Sequence, residues 1–261
     1  MALKTFSVFY YGQEITENNK YINFTEGAGP ELTAELEIGS YTLSKFRDVI
    51  SSALNNAGNQ VYTVVVDRFT RKITISAPSV FSLLGATGSL VGQSALPTMG
   101  FTNTDYISGT AWQSDNACGY AYKPQFWLQE YVKPEHNLSL YNAVKTKSAD
   151  GNKVSIQSFG EERMMKCNIK FITNVSQDAD SVIRSNDQGL EDYLAFMDYC
   201  CRQNPVEFME DEADPTKLYR LRLDKTPQSS DGFEHEPVEK YDVGLPYYYE
   251  SGKLEFRVIQ E

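Results

Sequence analysis

Histidine is nearly missing from this chain: His136 and His235 are the only two among 261 residues. Both sit in polar sequence close to a proline, and no nucleophile-bearing turn accompanies either. A Ser-His-Asp or Cys-His arrangement needs an imidazole held beside a nucleophile, so the sequence offers no motif for that chemistry. Cysteine is sparse too. Cys118, Cys167, Cys200 and Cys201 form no CxxC motif and no regular spacing, which reads as free thiols in a reducing compartment. Trp112 and Trp127 are the only tryptophans, few for a cleft that stacks sugars.

Other absences narrow the field further. No run approaches the ~18–20 apolar residues of a membrane span. The opening segment MALKTFSVFYYGQE lacks the apolar core and cleavage site of a secretory leader. The three glycosylation sequons beginning at Asn23, Asn137 and Asn174 are accordingly read as chance matches. Gly27-Ala28-Gly29 supplies two glycines of a dinucleotide fingerprint, but Pro30 follows and no third glycine arrives. No phosphate-cradling G-x-x-x-x-G-K-[ST], HExxH or calcium-loop motif is present. Basic residues are outnumbered, 24 against 35, for a net charge of −11. That balance argues against binding nucleic acid or an anionic membrane, since both need clustered Lys and Arg.

What the chain does have is aromatic and β-forming sequence: 17 Tyr, 14 Phe and 41% hydrophobic residues. The acidity is uneven. Residues 1–125 hold eight basic and ten acidic groups, whereas 126–261 hold 16 and 25. The densest acidic stretch is 207–214 (EFMEDEAD). Two readings stand for it: a solvated turn after a strand, or an oxygen-rich site for Ca²⁺.

The patterning predicts an α+β, β-rich fold: antiparallel sheets in a sandwich or roll, with one flanking helix per domain. Two domains fit the length at ~100–200 residues each: a module over 1–115 and a β-rich domain over 116–261. In the first, strands are expected at 5–11, 20–24 and 32–38, the last with Leu32, Ala34, Leu36 and Ile38 alternating inward. Thr42 is placed to cap a helix over 43–55, whose Leu43, Phe46, Val49, Ile50, Ala53 and Leu54 make one apolar face. Gly58 suits a left-handed cap at its end. A β-hairpin follows, 61–66 and 71–76, joined by 67–70. Phe81, Leu83, Leu84, Leu90, Leu96 and Phe101 then read as a loop wrapping back into the same core, and 106–125 as a junction between domains.

The second domain begins with an aromatic strand at 126–132. A hairpin is expected from 138–146 and 153–159, turned around Asp150-Gly151. Met165, Cys167, Ile169 and Phe171 alternate on one face of a strand at 165–172. A helix is predicted at 190–203 on the spacing of Leu190, Tyr193, Leu194, Met197, Cys200 and Cys201. Strands at 206–209, 218–223 and 253–259 complete the set. Tyr247, Tyr248 and Tyr249 follow Gly-Leu-Pro; they serve either as an interface or as cover for their own core.

The segment YTLSKFRDVISSALNNAG…YTVVVDRFTRKITISA…FSLLGATG…MGF resembles a module of tailed-bacteriophage and large-virus structural proteins. The likeness spans residues 36–109 and includes no catalytic motif. The second half is similar in element order to the tail-module architecture of tail-tube, distal-tail and connector proteins. The resemblance implies a non-enzymatic virion subunit of the tail, baseplate or tube-to-baseplate connector, made in the host cytoplasm without a cofactor. Its implied partners are copies of itself in a ring and neighbouring virion proteins, with no nucleic acid and no membrane. Candidate subunit contacts are Phe126, Trp127, Tyr131, Asp150, Gly151, Tyr247, Tyr248 and Tyr249. A head-surface or neck protein, or a carbohydrate-binding or hydrolytic module, are the alternatives.

Overall fold

In the computed structural model these patterns become strands and two helices. The structure describes residues 7–124, 132–137, 143–147, 154–158, 162–169, 172, 190–210, 214, 216–225, 236–239 and 248–259. The first elements are β1 (Val8–Tyr11), β2 (Gln13–Ile15), β3 (Tyr21–Glu26), β4 (Glu31–Glu35), β5 (Gly39–Tyr41), α1 (Leu43–Ala57), β6 (Thr63–Val66), β7 (Ile73–Leu84), β8 (Asp105–Gln113) and β9 (Tyr120–Tyr122). Then come β10 (Val132–Asn137), β11 (Ala143–Lys147), β12 (Val154–Ser158), β13 (Glu162–Asn168), α2 (Leu190–Cys201), β14 (Val206–Met209), β15 (Leu218–Lys225), β16 (Glu236–Glu239), β17 (Tyr248–Glu250) and β18 (Lys253–Val258). The fold is α+β and β-rich, with antiparallel ladders.

The chain forms two compact units, residues 1–122 with 204–218, and 123–203 with 219–261. Residues 106–122, expected as a junction, instead supply β8 and β9 to the first unit.

In the first unit, β7 is the axis of a five-stranded sheet. It pairs with β6 and β3 along one edge and with β8 along the other, and β4 extends the sheet beyond β3. Phe81 and Leu83 therefore lie in a strand rather than in a loop. Leu96 and Phe101 do wrap back into the core as the pattern suggested. α1 packs here because its buried Leu43, Phe46, Ile50, Ala53 and Leu54 recur at helical spacing. Its start is set by Thr42, whose side chain accepts a hydrogen bond from the Lys45 N–H. The rings of Phe24, Tyr62 and Phe81 meet edge to face beneath it, with centroids 5.5 and 5.3 Å apart. Ile38 departs from the alternation: it lies past the end of β4 and is exposed.

α1 ends differently from expectation. Gly58 caps it through its N–H to Leu54 O at 2.9 Å, yet its φ of −95° and ψ of 172° are extended, not left-handed. Glycine is required for space. A Cβ there would stand 2.7 Å from Glu26 Oε1 and 2.7 Å from the Tyr62 ring. The Glu26 carboxylate closes this corner by accepting from Asn59 N (2.8 Å), Gln60 N (3.0 Å), Tyr62 OH (3.0 Å) and Asn59 Nδ2 (3.0 Å).

In the second unit, the strand order β10–β13–β18–β15 carries cross-strand pairs Met165 with Phe256 and Cys167 with Leu254. Met165, Cys167 and Ile169 are buried, as their alternation predicts. Ser251 and Ile169 exchange two hydrogen bonds, of 2.8 and 2.9 Å. α2 buries Leu190, Tyr193, Met197 and Cys200, and also Phe196 and Tyr199, which the one-faced reading leaves out. All four cysteines are free thiols. Burial pushes Cys167 and Cys118 up to about 12, so these thiols stay protonated at neutral pH.

Two outcomes test this account. Gly58→Ala should destabilise the protein by about 1–3 kcal/mol in chemical denaturation, the usual overpacking cost; unchanged stability would mean the corner can relax. Burial raises the Glu26 carboxyl, but hydrogen bonds from Asn59, Gln60 and Tyr62 outweigh it and hold the group below its ordinary 4.5. Its contribution is present above 4.5 and lost as pH falls through the lowered folded value. Glu26→Gln should therefore flatten that part of the acid limb of a pH–stability curve.

Candidate functional site

Of the eight residues marked from sequence as contacts, Tyr248 and Tyr249 are among the described residues. Phe126, Trp127, Tyr131, Asp150, Gly151 and Tyr247 lie outside the described residues. Tyr248 and Tyr249 are placed in β17, opposite Glu239 and Pro237 of β16. β11 and β12 pair in register from Ala143 with Ser158 to Lys147 with Val154, so the backbone of the expected hairpin forms, while its Asp150-Gly151 tip is among the residues not described. His136 lies in β10 opposite Arg163, and His235 is not among the described residues. Asn23 of the first sequon is buried, its Nδ2 donating to Glu31 (2.5 Å), Thr33 (3.1 Å) and Ser89 (3.3 Å). That leaves no room for a glycan.

The acidic stretch resolves into separate roles. Glu207, read as part of a solvated turn or cation site, is fully buried in β14, whose four residues are all buried. Asp214 makes a local turn, its carboxylate accepting from the Thr216 N–H at 3.1 Å. Among the described residues no group of three or more His, Cys, Asp or Glu is arranged to hold a metal.

Glu207 is held by two groups of the first unit, the Arg68 guanidinium and the Ser44 backbone N–H. One carboxylate oxygen pairs with Arg68 and the other accepts from the Ser44 N–H at 3.0 Å; Arg68 Nη2 in turn donates to Ser44 Oγ at 2.9 Å. Arg68 is set by the turn between β6 and β7, and its carbonyl accepts from the Tyr10 hydroxyl at 2.9 Å. Tyr10 itself lies opposite Glu207 in the β1–β14 ladder. Ser44 is the second residue of α1, so the carboxylate also meets the positive end of the helix dipole. Both oxygens of the Glu207 carboxylate are occupied within the cluster. It ties a strand to a helix 163 residues away, and its chemistry is structural. The signal that could have found it was a lone acid inside Val206-Glu207-Phe208-Met209, an apolar strand.

A second feature escaped the sequence reading. From Ile73 to Ser114 the chain carries one charged residue, Asp105, although charged residues make up 23% of the whole. Asp105 is itself engaged: it accepts from Ala86 N (2.8 Å), Thr87 N (3.1 Å) and Thr87 Oγ1 (2.7 Å). Burial pushes its carboxyl up, but those bonds prevail and hold it below the ordinary value. This tract forms β7, β8 and the loop between them. β8 is nine residues long and pairs with β7 on one edge, and among the described residues nothing pairs with its other edge. Ile107 on β8 is 65% exposed and Val80 on β7 is 44% exposed. Trp112 turns inward, its indole N–H donating to Phe81 O at 3.2 Å. A strand edge with so little charge suits pairing with another chain.

No protein-family model matches this chain, and comparison with curated proteins finds no match either.

The Glu207 cluster gives a direct test. Arg68→Met or Glu207→Gln alone should cost about 2 kcal/mol, the loss of a charge-assisted hydrogen bond with its partner left buried. In a double-mutant cycle the two losses should be non-additive; simple additivity in urea denaturation would show the pair to be uncoupled.

Proposed function

We propose that this chain is a non-enzymatic structural subunit of a tailed-phage virion that forms or joins a ring in the tail or baseplate region. The class of particle rests on the sequence resemblance over 36–109. The observation that carries the assembly role is the β7–β8 surface, whose one charged residue, Asp105, is engaged, and whose strand edge is unpaired among the described residues. An acidic protein keeps identical copies apart by repulsion over most of its surface. A neutral strand edge is where copies approach at no electrostatic cost and where backbone groups already wait for partners. Closed rotational symmetry would then convert head-to-tail contacts into a ring.

The test is the mass of the purified protein by sedimentation velocity across concentration and ionic strength, with imaging of any large species. Discrete species at multiples of 29.5 kDa are expected, and salt should favour them because it screens repulsion between acidic copies. A strict monomer that binds an oligosaccharide saturably would replace this reading with the host-glycan one.

A further inference from the structure

The edge of β8 that is open among the described residues has a definite pattern of backbone groups. The Ser114 N–H donates to Ile73 O at 2.8 Å, inward toward β7. Along an antiparallel strand, paired and unpaired residues alternate. In the regular register of Thr74–Ser76 against Ala111–Gln113, the N–H and C=O of Trp112 therefore also face β7, while those of Ala111 and Gln113 face away; Thr110 and Gly109 lie where that register breaks. Ala111 and Gln113 are exposed. The Gln113 side chain bonds back to Thr74 Oγ1 at 3.4 Å, across the strand rather than over the edge.

Other edges of the first unit are guarded in ways that β8 is not. β4 carries Glu31 and Glu35, which would face like charges in a self-pair. β6 is four residues long, and α1 covers the adjoining Tyr62, with Asn55 bonding both its N–H (2.6 Å) and its carbonyl (3.0 Å). β2, β5 and β9 are three residues each. Over Gly109–Gln113, β8 has no Lys, no Pro and no charge. The positive φ of 56° at Ser108 lies outside that run, and the bulge opposite Thr110 belongs to β7, on the side away from the open edge.

We infer that Gly109–Gln113 pairs antiparallel with the same segment of a second copy of this chain, about a two-fold axis at Ala111. The partner is a second copy for two reasons. The edge offers no charge with which to attract a basic or acidic stranger, and it is where two chains of net charge −11 can meet without like charges opposed. It is also self-complementary in size. Antiparallel pairing about Ala111 sets Gly109 against Gln113 and Thr110 against Trp112, small residues against large. Five paired residues bury far less than the ~800 Å² per partner of a stable interface, so the contact is weak alone and gains from copies already held close together. The inference rests on the assembly role proposed above. One edge cannot make both contacts, so the β8 edge forms the two-fold pair and a ring closes through head-to-tail contacts on other surfaces.

The experiment compares the full-length chain with Ala111→Pro, Ala111→Lys and Ala111→Cys. Proline removes an outward N–H and leaves the bonds to β7 intact, whereas lysine sets two cations across the axis. Each of these two should weaken self-association in sedimentation by roughly tenfold or more, as expected for lost backbone pairing, with unchanged circular dichroism. Ala111→Cys should form a disulfide between two copies on mild oxidation, since residues paired at the axis lie within bridging range, and the unsubstituted chain should form none. If the proline and lysine variants associate as strongly as the original chain and the cysteine variant does not cross-link, the β8 contact is wrong while the assembly role stands. A chain that stays monomeric at every concentration and does not cross-link through position 111 overturns both.

Discussion

A single buried carboxylate organises the first unit. Glu207 reaches from a late strand into the core region of an early module, where Arg68 and the Ser44 N–H receive it. An ionised group without partners at such a depth would cost several kcal/mol. The strand, the β6–β7 turn and the first turn of α1 must therefore arrive together or not at all. Hydrophobic burial makes this unit stable in bulk, through the Phe24–Tyr62–Phe81 cluster and the inward face of α1. The ion pair makes it specific, because only one register of β14 against β1 brings Glu207 beside Tyr10 and Arg68.

The charge pattern supports a division of labour. Acidic groups are spread over the rest of the chain, while the tract from Ile73 to Ser114 is almost free of charge and its one acid is held by Ala86 and Thr87. Loops of this kind in an acidic protein ordinarily carry several ionised side chains on their exposed positions. Gly109–Gln113 of β8 carries none.

What could be read from the sequence followed periodicity. α1, α2 and the inward face of β13 were legible because one apolar stripe dictated each of them. The length of β7 was not, because Phe81, Leu83 and Leu84 read as part of a loop. In the fold the stretch before them is a bulge, with Ala77–Val80 standing opposite little more than Thr110. Gly58 was recognised as a helix stop for the wrong reason, since the constraint is the Glu26 carboxylate and Tyr62 ring across space. Glu207 was misread for a similar cause: a charged residue looks solvated until its distant partners are known. The candidate surface was equally hidden, because motif searches look for what residues carry, and β8 is defined by what its residues lack.

The composition of the first unit sets an order of events during synthesis. Its strand β14 is made about 80 residues after β9, the last element before it in that unit. At about 5–20 residues per second, a nascent chain waits roughly 4–16 seconds with one side of β1 uncovered and Arg68 without its carboxylate. For that interval the aromatic strand Val8–Tyr11 is an unfinished edge on the ribosome, open to other nascent chains on the same message. The first unit is begun first and finished late, so its maturation is paced by translation of the residues in between.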